Sequence, residues 1–174
     1  MDTTWNGILW GQFGASIDML ENAINACPEE LWTDRSKKPE WESRGVVGFW
    51  YLAYHTLFFL DLQFSGGSVE GFAPPAPFDR KELDPEGLLP DRPYTKDELR
   101  QYLQHCREKG RTVIGALTEQ TAQRPCRWGS FELTFGELIL YGMRHVQHHA
   151  AQLNLLLRQN TGAVPRYVKR TGPQ

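Results

Sequence analysis

Residues 45–60 form a run of sixteen without a single Lys, Arg, Asp or Glu, and it includes Tyr51, Tyr54 and His55. A bilayer span needs roughly 18–20 apolar residues, so the run is too short and too polar to be read as one. Extended to about 43–64, it reads as a helix that is apolar nearly all round, closed by Ser65-Gly66-Gly67. Such a helix is stable in water only when other elements enclose it on several sides.

The enclosing elements are legible in the same way. Over about 4–27, Leu9, Phe13, Ile17, Leu20 and Ile24 recur at steps of three and four, and Pro28 closes the segment. A third helix opens at Thr95, where Thr-Lys-Asp-Glu supplies a capping box, with Leu99, Leu103, Cys106, Val113 and Leu117 marking its buried side. A fourth opens at Thr134, with Glu137 three residues on, and runs to about 159. Four such helices predict an all-α chain, a four-helix bundle over 1–160 with a loose C-terminal tail over 161–174. The link over 65–93 holds six of the eleven prolines. It is long enough to be a crossover between the second and third helices, which predicts up-down-down-up order.

Composition narrows the function classes. Nineteen Lys and Arg against twenty-one Asp and Glu leave a formal charge of −2, without the basic excess that a nucleic-acid surface needs. Nor does that balance call for an anionic membrane partner. Cys27, Cys106 and Cys126 are odd in number and widely spaced, which suits a reducing compartment. The polar, acidic start Met1-Asp2-Thr3-Thr4 does not resemble a signal peptide. Together these predict a cytoplasmic protein.

Three of the five histidines fall within five residues of the fourth helix. At about 100° per residue, Leu138, Gly142, His145, His149, Gln152 and Leu156 lie within roughly 40° of one line, and His148 lies about 80° off it. His145 and His149 thus form an inward i,i+4 pair whose imidazoles can reach one ion. His55 points inward from the second helix, on the side of Gly48, Tyr51, Phe59 and Leu62. Three histidines would leave coordination positions open, as catalytic metal sites do. The competing reading is structural: a histidine in an apolar run is commonly a core residue satisfied by a hydroxyl or a carbonyl.

In these motifs the chain resembles the DinB/YfiT-like metalloenzymes. The resemblance rests on Phe49-Trp-Tyr-Leu-Ala-Tyr-His55 in the second helix and His145-Val-Gln-His-His149-Ala-Ala-Gln152 in the fourth. Pro28-Glu-Glu-Leu-Trp32 and Thr95-Lys-Asp-Glu-Leu99 are also similar to that family. The resemblance implies a four-helix bundle, a site on His55, His145 and His149 for a divalent metal ion such as zinc or nickel, and a homodimer. It further implies a small-molecule thiol transferred to an electrophile. Where many relatives carry Arg-Gly-Gln after the histidine pair, this chain has Ala150-Ala151-Gln152, so no charged group carries over there.

Around the metal, Gln152 is a candidate to hold an imidazole N–H or a bound water, an interhelical hydrogen bond being its alternative role, and Tyr51 and Tyr54 are candidates to donate to a substrate, with aromatic packing as theirs. His148 is a surface residue or an i,i+3 partner of His145, and His105 a solvated flank residue. Cys106 reads as a small buried residue and Cys126 as a loop residue, with no group to orient either as a nucleophile. Thiol transfer, metal-dependent hydrolysis, a non-catalytic metal-binding or stress-response bundle, and a metal-free interaction module all remain open from the sequence. An enzyme would have a pocket at the ion beneath the 65–93 link, with 128–131 as its other rim.

Overall fold

The computed structural model describes residues 4–34 and 48–172. Four long helices dominate: α1 (Trp5–Ala26), α3 (Phe49–Phe64), α4 (Lys96–Gly115) and α6 (Phe135–Thr161). Two one-turn helices, α2 (Glu29–Trp32) and α5 (Glu119–Ala122), and a ribbon of β1 (Pro125–Trp128) with β2 (Phe131–Thr134) join them. The fold is all-α apart from that ribbon.

Local chemistry sets the ends. Thr4 accepts from Gly7 N at the start of α1. Thr95 with Glu98, and Thr134 with Glu137, form complete capping boxes that satisfy otherwise orphaned N–H donors at the starts of α4 and α6. α6 stops at Gly162, whose φ of 74° is the left-handed conformation that a helix terminator adopts.

α3 is buried along nearly its whole circumference, as its largely apolar sequence requires, its one charged residue, Asp61, included, and it packs against both α4 and α6. α1 also packs against α4 and α6, which closes a four-sided arrangement. The contacts give each pair a sense. Asn6 donates to Leu117 O, Arg107 pairs with Asp18 and Glu21, and Arg100 donates to Asn25, so α1 and α4 run oppositely. Trp50 meets Tyr94 and Phe64 meets Gly110, so α3 and α4 run together. His55 meets His149 while Gln63 meets Gly142, so α3 and α6 are opposed.

Several expectations need correction. The second helix begins at Phe49 behind Gly48 in extended conformation, and the expected stretch over 43–47 lies outside the described residues. Within the segment expected to be a loose tail, residues 169–171 instead lie against α1. Thr171 N donates to Gly11 O at 3.0 Å and Gln12 donates to Lys169 O at 3.2 Å. Gly14 makes this approach possible, since a Cβ there would lie 2.6 Å from Thr171 Cγ2. His105 is also no simple flank residue: its Nε2 lies 3.3 Å from the buried carboxylate of Asp61, which Tyr102 and Lys109 share.

Candidate metal centre

α3 carries His55 at its middle, and the inward face of α6 carries His145 and His149 one turn apart. Their rings converge, with centroids 5.4 Å (His55–His145), 5.0 Å (His55–His149) and 4.5 Å (His145–His149) apart. One nitrogen from each lies within 4.8 Å of the other two. The Nε2 atoms of His145 and His149 are 3.1 Å apart. Two nitrogens about 2.0–2.1 Å from one tetrahedral zinc would be separated by about 3.3 Å. Among the described residues, no Cys, Asp or Glu joins the three histidines.

The remaining ring nitrogens show how the site is held. His55 Nδ1 lies 2.6 Å from Glu82 Oε1, and the Tyr51 hydroxyl donates to Glu82 Oε2 at 2.8 Å. A carboxylate only accepts, so it fixes the proton on Nδ1 and leaves the Nε2 lone pair of His55 free. On α6, His149 Nδ1 lies 2.7 Å from Gln152 Oε1, one turn on, and the amide oxygen does the same for that ring. His145 Nδ1 is buried and has no hydrogen-bond partner among the described residues.

Electrostatics favour the neutral, ligating form. Burial, with the neighbouring His149, His55 and His148 adding to it, pushes the His145 pKa down to about 3. Burial and then His55 push His149 down to about 4, against a smaller opposing effect of the Gln152 hydrogen bond. Both imidazoles are therefore uncharged near neutral pH and available to a cation.

The other candidates separate. Gln152 and Tyr51 stand behind the histidines, Gln152 on His149 directly and Tyr51 through Glu82 on His55. Tyr54 does not join the site: it is fully buried, with its ring stacked on Phe78 and its hydroxyl 3.4 Å from Asp79 O. His148 is exposed and stands outside the cluster, though its ring centroid is 5.0 Å from that of His149. Cys106 and Cys27 are buried thiols, burial pushing Cys27 up to about 12 and Cys106 well above its ordinary value, so neither is a ready nucleophile.

Glu82 is the residue that sequence reasoning missed. It sits in a 3-10 turn (Lys81–Leu83) inside the long link, and its carboxylate is buried although the turn is otherwise half-exposed. No period or motif marks it; its only sequence signal is the length of the link. The expected pocket is present, a cavity of about 410 Å³ reaching His55 and His145, with the link on one rim and Trp128 and Gly129 on the other.

A model of the DinB superfamily matches residues 12–153. The chain belongs to the DinB superfamily. Its fold is similar to the crystal structure, at 2.30 Å resolution, of a DinB-like protein, YjoA, from Bacillus subtilis. The TM-score is 0.62 at 16% sequence identity, over 91% of this chain and 96% of that one. No curated protein matches the sequence. As a DinB-superfamily protein, the chain has three histidines that could hold a metal ion, at the meeting of α3 and α6. No helix among the described residues is long and apolar enough to cross a membrane.

Proposed function

We propose that this DinB-superfamily protein is a metal-dependent enzyme that holds one divalent cation, zinc or nickel, on His55, His145 and His149. Its reaction, on this reading, is the transfer of a low-molecular-weight thiol to an electrophile. The observation that carries the proposal is the convergence of three imidazole nitrogens, two of them on rings held neutral by burial, beside a cavity open to a small molecule. A three-nitrogen set suits a catalytic ion better than a structural one, which protein ligands usually close with a fourth. A divalent cation bound there supplies positive charge at open positions, which lowers the pKa of a thiol and favours its nucleophilic form.

The protein's own groups do the positioning. The Glu82 carboxylate accepts the hydrogen bond of His55 Nδ1–H and places a negative charge behind that ring, and the Gln152 amide oxygen accepts the hydrogen bond of His149 Nδ1–H. Phe59 and Trp128, 5.7 Å apart edge to face, give the cavity beside the histidines an apolar side. The bundle that carries these groups is read as up-down-down-up, with 65–93 as the crossover. The shared sense of α3 and α4 supports this. The exposed Trp5 and Ile8 on α1 and Leu140 and Leu155 on α6 support a homodimer, and three free thiols support a reducing, cytoplasmic setting.

The test is turnover of 1-chloro-2,4-dinitrobenzene or monochlorobimane with a panel of small thiols, using zinc- and nickel-loaded protein. The expected result is metal-dependent consumption that His149→Ala abolishes. Cleavage of 4-nitrophenyl acetate with no thiol present would favour hydrolysis instead. Metal binding without any turnover would leave a non-catalytic metal-binding protein.

A further inference from the structure

The cavity between the long link and the ribbon, which reaches His55 and His145, has predominantly apolar walls. Phe59 and Leu62 come from α3, Val69 and Leu83 from the long link, Trp128 from β1 and Tyr141 from α6. No Asp, Glu, Lys or Arg lines it among the described residues, and the imidazoles of His55 and His145 are its only ionisable groups apart from the Tyr141 phenol. At about 410 Å³ it lies at the small end of the range of about 300–1,000 Å³ usual for small-molecule sites.

The aromatic members are arranged as a continuous wall leading to a ligand ring. Phe59 meets the Trp128 ring at 5.7 Å, Trp128 meets Tyr141 at 6.0 Å, and Tyr141 lies nearly parallel to the His145 ring at 6.5 Å. Gly67 lets the ribbon close over the cavity. Its φ of 79° suits glycine, and a Cβ there would lie 3.2 Å from Arg127 O and 3.3 Å from the Trp128 indole. The wall is thus built by close packing and is not an accident of a loose surface loop.

The geometry points to a substrate with an uncharged, aromatic or branched apolar body, seated against Phe59, Trp128 and Tyr141 with its reacting end at the histidines. A carboxylate or phosphate on that body would lose its hydration and find no cationic side chain in the walls, which disfavours it. This inference rests on the three-histidine metal reading for the placement of the reacting end. The preference for an apolar body rests on the walls alone.

The experiment is a calorimetric titration of benzyl mercaptan and of 3-mercaptopropionate into zinc-loaded and into metal-free full-length protein. Benzyl mercaptan is expected to bind zinc-loaded protein at least tenfold more tightly than the anionic thiol. Both thiols should weaken in metal-free protein while the ratio still favours the aromatic one. Trp128→Ala should shrink the ratio at least threefold. Val69→Lys, at an exposed rim position where folding is not at stake, should shrink it too by helping the anion. Equal or tighter binding of 3-mercaptopropionate, or a ratio unmoved by both substitutions, would overturn the inference. Failure to retain zinc, read by elemental analysis, would sink the metal reading alone, and the ratio on metal-free protein would still decide this one.

Discussion

Replacing Glu82 by Gln keeps the size and shape of the side chain and removes one buried negative charge behind His55. The amide oxygen can still accept from one of the two donors, His55 Nδ1 or the Tyr51 hydroxyl, which now lie 2.6 and 2.8 Å from the carboxylate. The hydroxyl can rotate to accept from the new NH2, so the geometry should survive. A cation about 2 Å beyond the far ring nitrogen would sit roughly 6–7 Å from the carboxylate. Coulomb's law for a divalent–monovalent pair at that separation gives about 5 kcal/mol at an effective dielectric near 20 and about 1.3 kcal/mol near 80. Losses from removing such supporting carboxylates, about 10–100-fold in metal affinity, correspond to roughly 1.4–2.7 kcal/mol and fall inside that bracket. We therefore expect Glu82→Gln to weaken zinc binding 10–100-fold in a chelator competition assay, with an unchanged far-UV spectrum. Tyr51→Phe, which removes one hydrogen bond and no charge, should weaken it by less. A zinc affinity of Glu82→Gln within twofold of the parent would show that the Glu82 charge does not support the ion.

Three more outcomes are expected. His149→Ala should lose zinc strongly and His148→Ala should lose little, because only His149 joins the converging set; equal losses by elemental analysis would mean the facing is wrong. Metal-free protein should be acid-labile. His145 and His149 stay neutral when folded until about pH 3 and 4, whereas the unfolded chain protonates them near 6.5, so stability is full above 6.5 and falls as pH drops from 6.5 toward 4, by up to about 1.4 kcal/mol per unit for each histidine. Urea midpoints of metal-free protein at pH 7.5 and 5 check this, and a His145→Leu variant should show a shallower fall. Gly110→Ala should lower Tm by several degrees. Its Cβ would sit 2.5 Å from the Phe64 ring, and overpacking of about 1–3 kcal/mol outweighs a helix-propensity gain of at most about 1 kcal/mol; an unchanged or raised Tm by calorimetry would show that the α3–α4 contact yields easily.

The parts of this molecule that were readable in the sequence are those that local rules govern. Helix starts at Thr95 and Thr134 follow from hydroxyl and carboxylate chemistry within four residues, and both capping boxes are present in the structure. The inward direction of His145 and His149 follows from the helix repeat. Glu82 could not be found this way, since its partner His55 is 27 residues away across an irregular link with no period to read. The β1–β2 ribbon was equally hidden. Four-residue strands around Gly129-Ser130 carry too little alternation, and only the positive φ of Gly129 marks the turn in the structure. The docking of 169–171 on α1 depends on small residues, Gly11 and Gly14, whose role appears only when the two segments are side by side.

A single ion held by His55, His145 and His149 would bridge α3 and α6. Elemental analysis by mass spectrometry of tag-free protein, beside its His55→Ala variant, tests it most directly. About one divalent ion per chain is expected in the parent, with a strong loss in His55→Ala, although that substitution leaves the α6 pair intact. No metal in the parent even after zinc or nickel is supplied, or full retention in His55→Ala, would contradict it.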